Sequence, residues 1–170
     1  MPAMEGEPRG ERERGAELPG PPAERVRAVL EHVVAALELD GSVEVEEDAA
    51  EIRATVAGDD LALLIGKHGS TIDALQHLAA RIAFRGAHDR KGVVVDAAGY
   101  RERRSAALRR AADQAAADAI AYRRPVELEP MSSPERRIVH EYLRDRSDVQ
   151  THSEGDEPER RLVVSPLRST

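Results

Sequence analysis

The sequence predicts an α+β fold made of two small units in succession behind a polar N-terminal tail. Three observations predict it. Apolar residues switch several times between helical and strand spacing, in segments short enough for small domains. A Gly-x-x-Gly element, Gly66 to Gly69, separates two short helical patterns. A break at Pro125 is followed by a fresh helix start at Ser132-Ser133-Pro134-Glu135.

Residues 1–22 are mostly Pro, Gly, Glu and Arg, which bury too little surface to offset the entropy of ordering, so a disordered tail is expected there. From Ala23, the spacing of Val26, Val29, Leu30, Val33, Val34 and Leu37 predicts a helix that Asp40-Gly41 stops. Val43 and Val45, then Ile52, Ala54 and Val56, alternate as a hairpin turning near Asp48. Asp59 is the expected cap of a short helix ending at Gly66. Ser70 with Asp73 forms a capping-box pattern for a helix burying Ile72, Leu75, Leu78, Ala79 and Ile82. After a loop at Gly86–Arg90, Gly92 to Asp96 is the third strand.

A long helix is expected from Tyr100 to about Tyr122, with Leu108, Ala111, Ala112, Ala115, Ala119 and Ile120 on one side. Val126 to Leu128 is a short strand. Ser132, Pro134 and Glu135 open a helix running to about Arg146. Val149–Ser153 and Arg161–Val164 are two further strands joined by a polar turn. The expected division is a tail over 1–22, one domain over 23–98 and a second over 99–170.

Composition narrows the function. Of 170 residues 41% are apolar but only 2% aromatic, which is too few rings for the base-stacking platforms of many nucleic-acid modules. The absence of cysteine excludes disulfides, cysteine-based zinc and iron–sulfur sites and thiol catalysis. No apolar run approaches the ~18 residues of a membrane span. Residues 1–15 lack the apolar stretch of a secretory signal, so a soluble, cytoplasmic protein is expected. The net charge of −7 argues against a polyanion partner only if charge is evenly spread, and it is not. Arg101, Arg103, Arg104, Arg109 and Arg110 meet Glu102 alone at the start of the long helix, and Arg123, Arg124, Arg136 and Arg137 follow.

Ile65-Gly66-Lys67-His68-Gly69-Ser70-Thr71-Ile72 carries the chemistry of the first unit. Two glycines three apart let the backbone turn sharply and present its N–H groups to an anion with no Cβ in the way. The helix opening at Ser70 aims its positive end at the same place. Lys67 adds a charge, and His68 a donor or a stacking face. Such a loop suits consecutive phosphates of a flexible single strand. The α-β-β-α-α-β order with this loop resembles the type II KH fold, which implies that Gly66, Lys67, His68 and Gly69 contact RNA. A nucleotide-binding P-loop does not fit, because Leu61 stands where its first glycine belongs and His68 follows Lys67.

In the second unit, Arg136 and His140 lie four apart near a helix start and share a face. A guanidinium can fork onto phosphate, while an imidazole can donate or stack, and Arg137 adds charge beside them. The pair and the following hairpin resemble the R-three-H domain, a module associated with single-stranded nucleic acids. Asp96 to Arg104, Pro130 to His140, Thr151 to Gly155 and Pro158 to Arg161, with the glycine loop upstream, make residues 24–166 similar to the bacterial Jag family, also called KhpB. The resemblance implies a cytoplasmic RNA-binding regulator, in some members linked to cell envelope and division and sometimes partnered by a small single-KH protein. Arg101 and Arg104 are expected to extend the RNA surface.

Catalytic arrangements are not found. His140-Glu141 would need histidine rather than Arg144 to complete a zinc-protease motif. Asp73 and His77 are a helix-surface pair, the other histidines are scattered, and no nucleophile–base–orienter set is visible. The sequence thus predicts a non-enzymatic clamp on single-stranded RNA, without metal or cofactor, in which single-stranded DNA is an alternative ligand. The competing expectation is a scaffold whose two surfaces dock proteins.

Overall fold

A computed structural model describes residues 20–167. The tail expected over 1–22 therefore lies mostly outside the described residues, and its last member, Pro22, opens the first helix. Helix α1 (Pro22–Ala36) buries Val26, Leu30 and Val34. It ends before the expected Asp40-Gly41 stop because Glu38 adopts a left-handed conformation (φ 54°). The N–H groups of Glu38 and Leu39 then close onto the carbonyls of Ala35 and Val34. That is a Schellman end with glutamate at the glycine position. It exposes Leu37 and turns Leu39 onto the core in its place.

Strands β1 (Gly41–Glu47) and β2 (Glu51–Gly58) form the expected antiparallel hairpin, with Val43 opposite Val56 and Val45 opposite Ala54. Asp48 makes its turn by accepting the N–H groups of Ala50 and Glu51 at 2.7 and 2.9 Å. Helix α2 (Ala62–Ile65) is not capped by Asp59. Asp60 is left-handed, Leu61 precedes the helix without a side-chain cap, and Leu61 is buried. Burying a leucine contributes about 1.5–3 kcal/mol, more than the ~1 kcal/mol of a cap. Helix α3 (Ser70–Ala83) buries Ile72, Leu75, Ala79 and Ala83. Leu78, expected in the core, lies at the rim of that stripe and is 49% exposed. Strand β3 (Gly92–Ala97) pairs parallel to β2, giving the sheet order β1-β2-β3. The observed order up to this point is α-β-β-α-α-β, as the sequence predicts.

Helix α4 (Tyr100–Tyr122) has the expected bounds but presents a slightly different face. Leu108, Ala112, Ala115, Ala116 and Ala119 are buried, whereas Ala111 is exposed and Ile120 is 40% exposed. The stripe of alanines lets the helix approach β6 (Arg161–Pro166) and α5 (Ser133–Leu143) closely. Strands β4 (Val126–Glu127) and β5 (Val149–Glu154) flank β6 in the order β4-β6-β5, both antiparallel to it. Helix α5 stops at Leu143, shorter than the expected run to Arg146.

Two hydrophobic clusters result. The first unites α1, the three-stranded sheet and α3, and the second unites α4, α5 and the smaller sheet. Tyr100, the first residue of α4, packs against the first cluster although it precedes a helix buried in the second.

Candidate functional site

The glycine loop is shaped by steric necessity. Gly66 (φ 72°) could not carry a side chain, since a Cβ there would lie 2.1 Å from Thr71 Oγ1 and 2.8 Å from the Thr71 backbone nitrogen. Gly69 (φ 79°) closes the turn by donating its N–H to the Gly66 carbonyl at 3.3 Å. Between them, Lys67 and His68 stand exposed, His68 itself in the left-handed region (φ 53°). Among the described residues neither side chain has an ion-pair or hydrogen-bond partner, so both are available to a ligand.

The capping box expected at Ser70 and Asp73 does not form. Helix α3 begins after left-handed Gly69 without a side-chain cap. The Asp73 carboxylate instead accepts a bond from Arg101 Nη2 at 2.9 Å. An uncapped start favours anion binding, because a carboxylate folded back over the first amides would occupy the place a phosphate would take. Lys67, His68 and the free end of α3 thus form one positively polarised corner.

The expected basic surface on α4 is partly committed to internal contacts. Arg101 also donates from Nε to the Val95 carbonyl at 2.8 Å and from Nη2 to Gln76 Oε1 at 3.0 Å. Arg104 Nε donates to Glu135 Oε1 at 2.6 Å. Arg103 bonds the Ala98 carbonyl, and Arg109 lies over the Tyr142 ring, 5.9 Å from its centroid. Arg110 remains exposed.

The second site is an open cleft of about 430 Å³ between the start of α5 and the β5–β6 hairpin. Ser132 caps α5 in a box with Glu135, whose Oε2 accepts the Ser132 N–H at 2.9 Å. This cap fixes the helix so that Arg136, Arg137 and His140 border the cleft. Their situations differ sharply. The Arg136 side chain is only 9% exposed. It donates from Nη1 to the Met131 carbonyl and from Nη2 to Glu157 Oε1, both at 2.7 Å. His140 is exposed, and its Nδ1 lies 2.6 Å from Thr151 Oγ1, an orientation that leaves Nε2 free for a ligand. Arg137 is exposed and donates to Glu141 at 2.8 Å, holding that carboxyl below its ordinary value. The cleft thus joins a buried brace, an oriented imidazole and an exposed cation paired along its own helix.

Sequence reasoning missed the far wall of the cleft, where Thr151, His152, Ser153 and Arg160 face α5. These residues enter the sequence reading only within the stretches Thr151 to Gly155 and Pro158 to Arg161 that carry the family resemblance, with no role given to any of them. It also missed Tyr100, whose ring lies against Gly69, and Gln76, which bonds Arg101 and Val95. Among the described residues no group of three or more acidic, histidine or cysteine side chains could hold a metal ion, and no helix is long and apolar enough to cross a membrane.

Comparison with known proteins gives two family matches. The model for the KhpA/KhpB KH domain matches residues 23–96, and that for the R-three-H domain matches residues 106–166. Relatives named RNA-binding protein KhpB include three that align over most of this chain. That of Clostridium symbiosum is 39% identical over 141 residues, covering 82% of this chain and 64% of the relative. That of Lactiplantibacillus plantarum is 40% identical over 143 residues, 82% of this chain and 44% of the relative. That of Bacillus subtilis is 33% identical over 149 residues, 86% of this chain and 72% of the relative. The chain therefore spans between about half and two thirds of the length of the first two.

Proposed function

The chain belongs to the KhpB family, and from that footing we propose that it is a single-stranded RNA-binding protein acting as a two-site clamp. The observation that carries this is the corner at the start of α3, where Lys67 and His68, exposed and without a partner among the described residues, flank an uncapped helix end. Backbone amides and one full positive charge converge there, in a loop where the glycines keep side chains out of the way. This is the chemistry of phosphate capture, and the sparse aromatic content leaves the backbone as the main handle on the strand.

At the second site, His140 and Arg137 supply the contacts to the strand, and Arg136 holds the cleft in shape from behind. Each site alone binds weakly. Two sites on one chain raise affinity through effective concentration, with no added contact. The same family footing supports a finer role: a cytoplasmic post-transcriptional regulator linked to cell envelope or division, with a small single-KH protein as partner and single-stranded DNA as a competing ligand. Deletion of the gene followed by RNA capture and cell-shape measurement tests that role.

The direct test is binding of a short single-stranded RNA by fluorescence anisotropy to wild type, Lys67→Asp/His68→Asp and His140→Ala, with circular dichroism confirming each fold. Both variants are expected to lose about tenfold or more in affinity, about 1.4 kcal/mol or more. Equal binding by all three, or none by wild type, sinks the clamp. If protein partners but not RNA are then lost from the loop variant, the scaffold takes its place.

A further inference from the structure

The N-terminal stretch of α4, Tyr100 to Arg104, touches the glycine loop and the helix that borders the cleft. On one side, Gly69 of the glycine loop lies against the Tyr100 ring so closely that a Cβ on Gly69 would sit 2.8 Å from Tyr100 Cε1. The Tyr100 hydroxyl is buried and has no hydrogen-bond partner among the described residues, and the ring is held by packing against the first cluster. Arg101 next to it ties α4 to two elements at once. Its guanidinium bonds Asp73 and Gln76 on α3 and the Val95 carbonyl on β3, and its backbone N–H donates to Asp96 Oδ1 at 3.1 Å. Gln76 completes the knot by accepting the Val95 N–H at 3.0 Å.

On the other side, Arg104 stands one helical turn from Tyr100 and pairs with Glu135, whose side chain is almost fully buried. Glu135 is the same residue that closes the cap of α5 through Ser132. Arg136 and His140 follow on that helix. An unbroken series of contacts therefore runs from the glycine loop through Tyr100, Arg101 and Arg104 to the helix that forms the cleft.

We propose that the first turn of α4 is a rigid joint that sets the distance and orientation between the two sites, with Arg101 and Arg104 as positioning residues. Three of the five guanidinium N–H donors of Arg101 are directed at protein acceptors, so a phosphate would have to displace them. Neither arginine is disposed as a free cation in the way Lys67 is. A fixed joint matters because the gain from linking two weak sites depends on whether one strand can reach both without distortion, and it vanishes when the geometry forbids it. This inference takes its functional meaning from the two-site clamp, while the joint itself can be measured without RNA.

The sequence contains no cysteine, so Glu46→Cys and Gln150→Cys, both exposed and outside either site, provide unique spin-label positions in the full chain. Electron–electron double resonance is expected to show one narrow distance distribution in the parent. Arg101→Ala/Arg104→Ala, and independently Asp73→Asn/Gln76→Ala, should broaden it, with thermal melts confirming that both units remain folded. An RNA long enough to span both sites should then bind about tenfold more weakly, whereas one confined to a single site should bind within twofold of the parent. Arg101→Lys keeps the charge but loses the fork, and is expected to behave as Arg101→Ala. A narrow distribution in the variants, equal weakening of short and long RNA, or full rescue by lysine overturns the joint. Failure of the parent to bind either RNA would instead strike at the clamp, and the distance distributions would still decide the joint.

Discussion

Arg136→Ala removes a side chain that is 9% exposed and leaves the Met131 carbonyl, in a buried residue, without its donor. A hydrogen bond from a charged group to a buried acceptor contributes about 1.5–3 kcal/mol. The pair with Glu157 adds little, since that carboxylate is 57% exposed and water screens it, so we assign it about 0–1 kcal/mol. Loss of the packed stem adds to the total. The expected destabilisation is about 2–4 kcal/mol, or roughly 10–25 °C in the melting temperature of a unit this small. His140→Ala, at an exposed position, should change stability by no more than about 0.5 kcal/mol while weakening RNA binding. Urea unfolding followed by circular dichroism, paired with anisotropy at a temperature where both variants are folded, separates the two. If Arg136→Ala melts within about 2 °C of wild type and still loses RNA, the guanidinium is a ligand group and its assignment as a brace is wrong.

Log affinity for single-stranded RNA is expected to fall with log salt at a slope of roughly −3 to −4, as for about 4–6 phosphate contacts, and a slope near zero would contradict phosphate capture. Gly69→Ala should destabilise the first unit by more than the ~1 kcal/mol of a left-handed alanine, because its Cβ meets Tyr100, and thermal denaturation measures it. The N–H groups of Glu51 and then Ala50 hold the Asp48 carboxyl below its ordinary value. Its contribution to folding is thus full above the ordinary aspartate range, near pH 4, and is lost as pH falls through the lower folded value. Asp48→Asn should accordingly soften the acid-induced loss of the β1–β2 hairpin, as followed by NMR.

Local signals carried much of the fold. The glycines at 66 and 69, the hairpin around Asp48 and the bounds of the long helix all depend on residues close in sequence. Helical period located the buried side of α3, yet could not tell that Leu78 sits on its rim, because that depends on which element covers the stripe. The candidate site was legible where exposure follows from the loop alone, as at Lys67 and His68. It was not legible where a partner decides the role. Asp73 reads as a cap until Arg101, twenty-eight residues on, claims it. Arg136 reads as a free fork until Met131 and Glu157 surround it. Thr151 belongs to a stretch that carries the family resemblance, but its own role shows only when strand register brings it to His140.

The order of strands in the smaller sheet has a bearing on how this chain matures. β4 and β5 do not pair with each other, and both depend on β6, with Val126 meeting Val164 and Val149 meeting Pro166. A ribosome delivers β6 after both of its neighbours, so the cleft that holds His140 and Thr151 cannot close while the chain is still being made up to that strand. The first unit, whose last strand ends at Ala97 and whose cluster takes in Tyr100, has its partners much earlier, once the first residues of α4 have followed. The nascent chain thus passes through a stage in which the glycine loop is complete and the second site is not. Under the clamp proposed above, such a chain has one contact with RNA, and the second arrives with the emergence of a single six-residue strand.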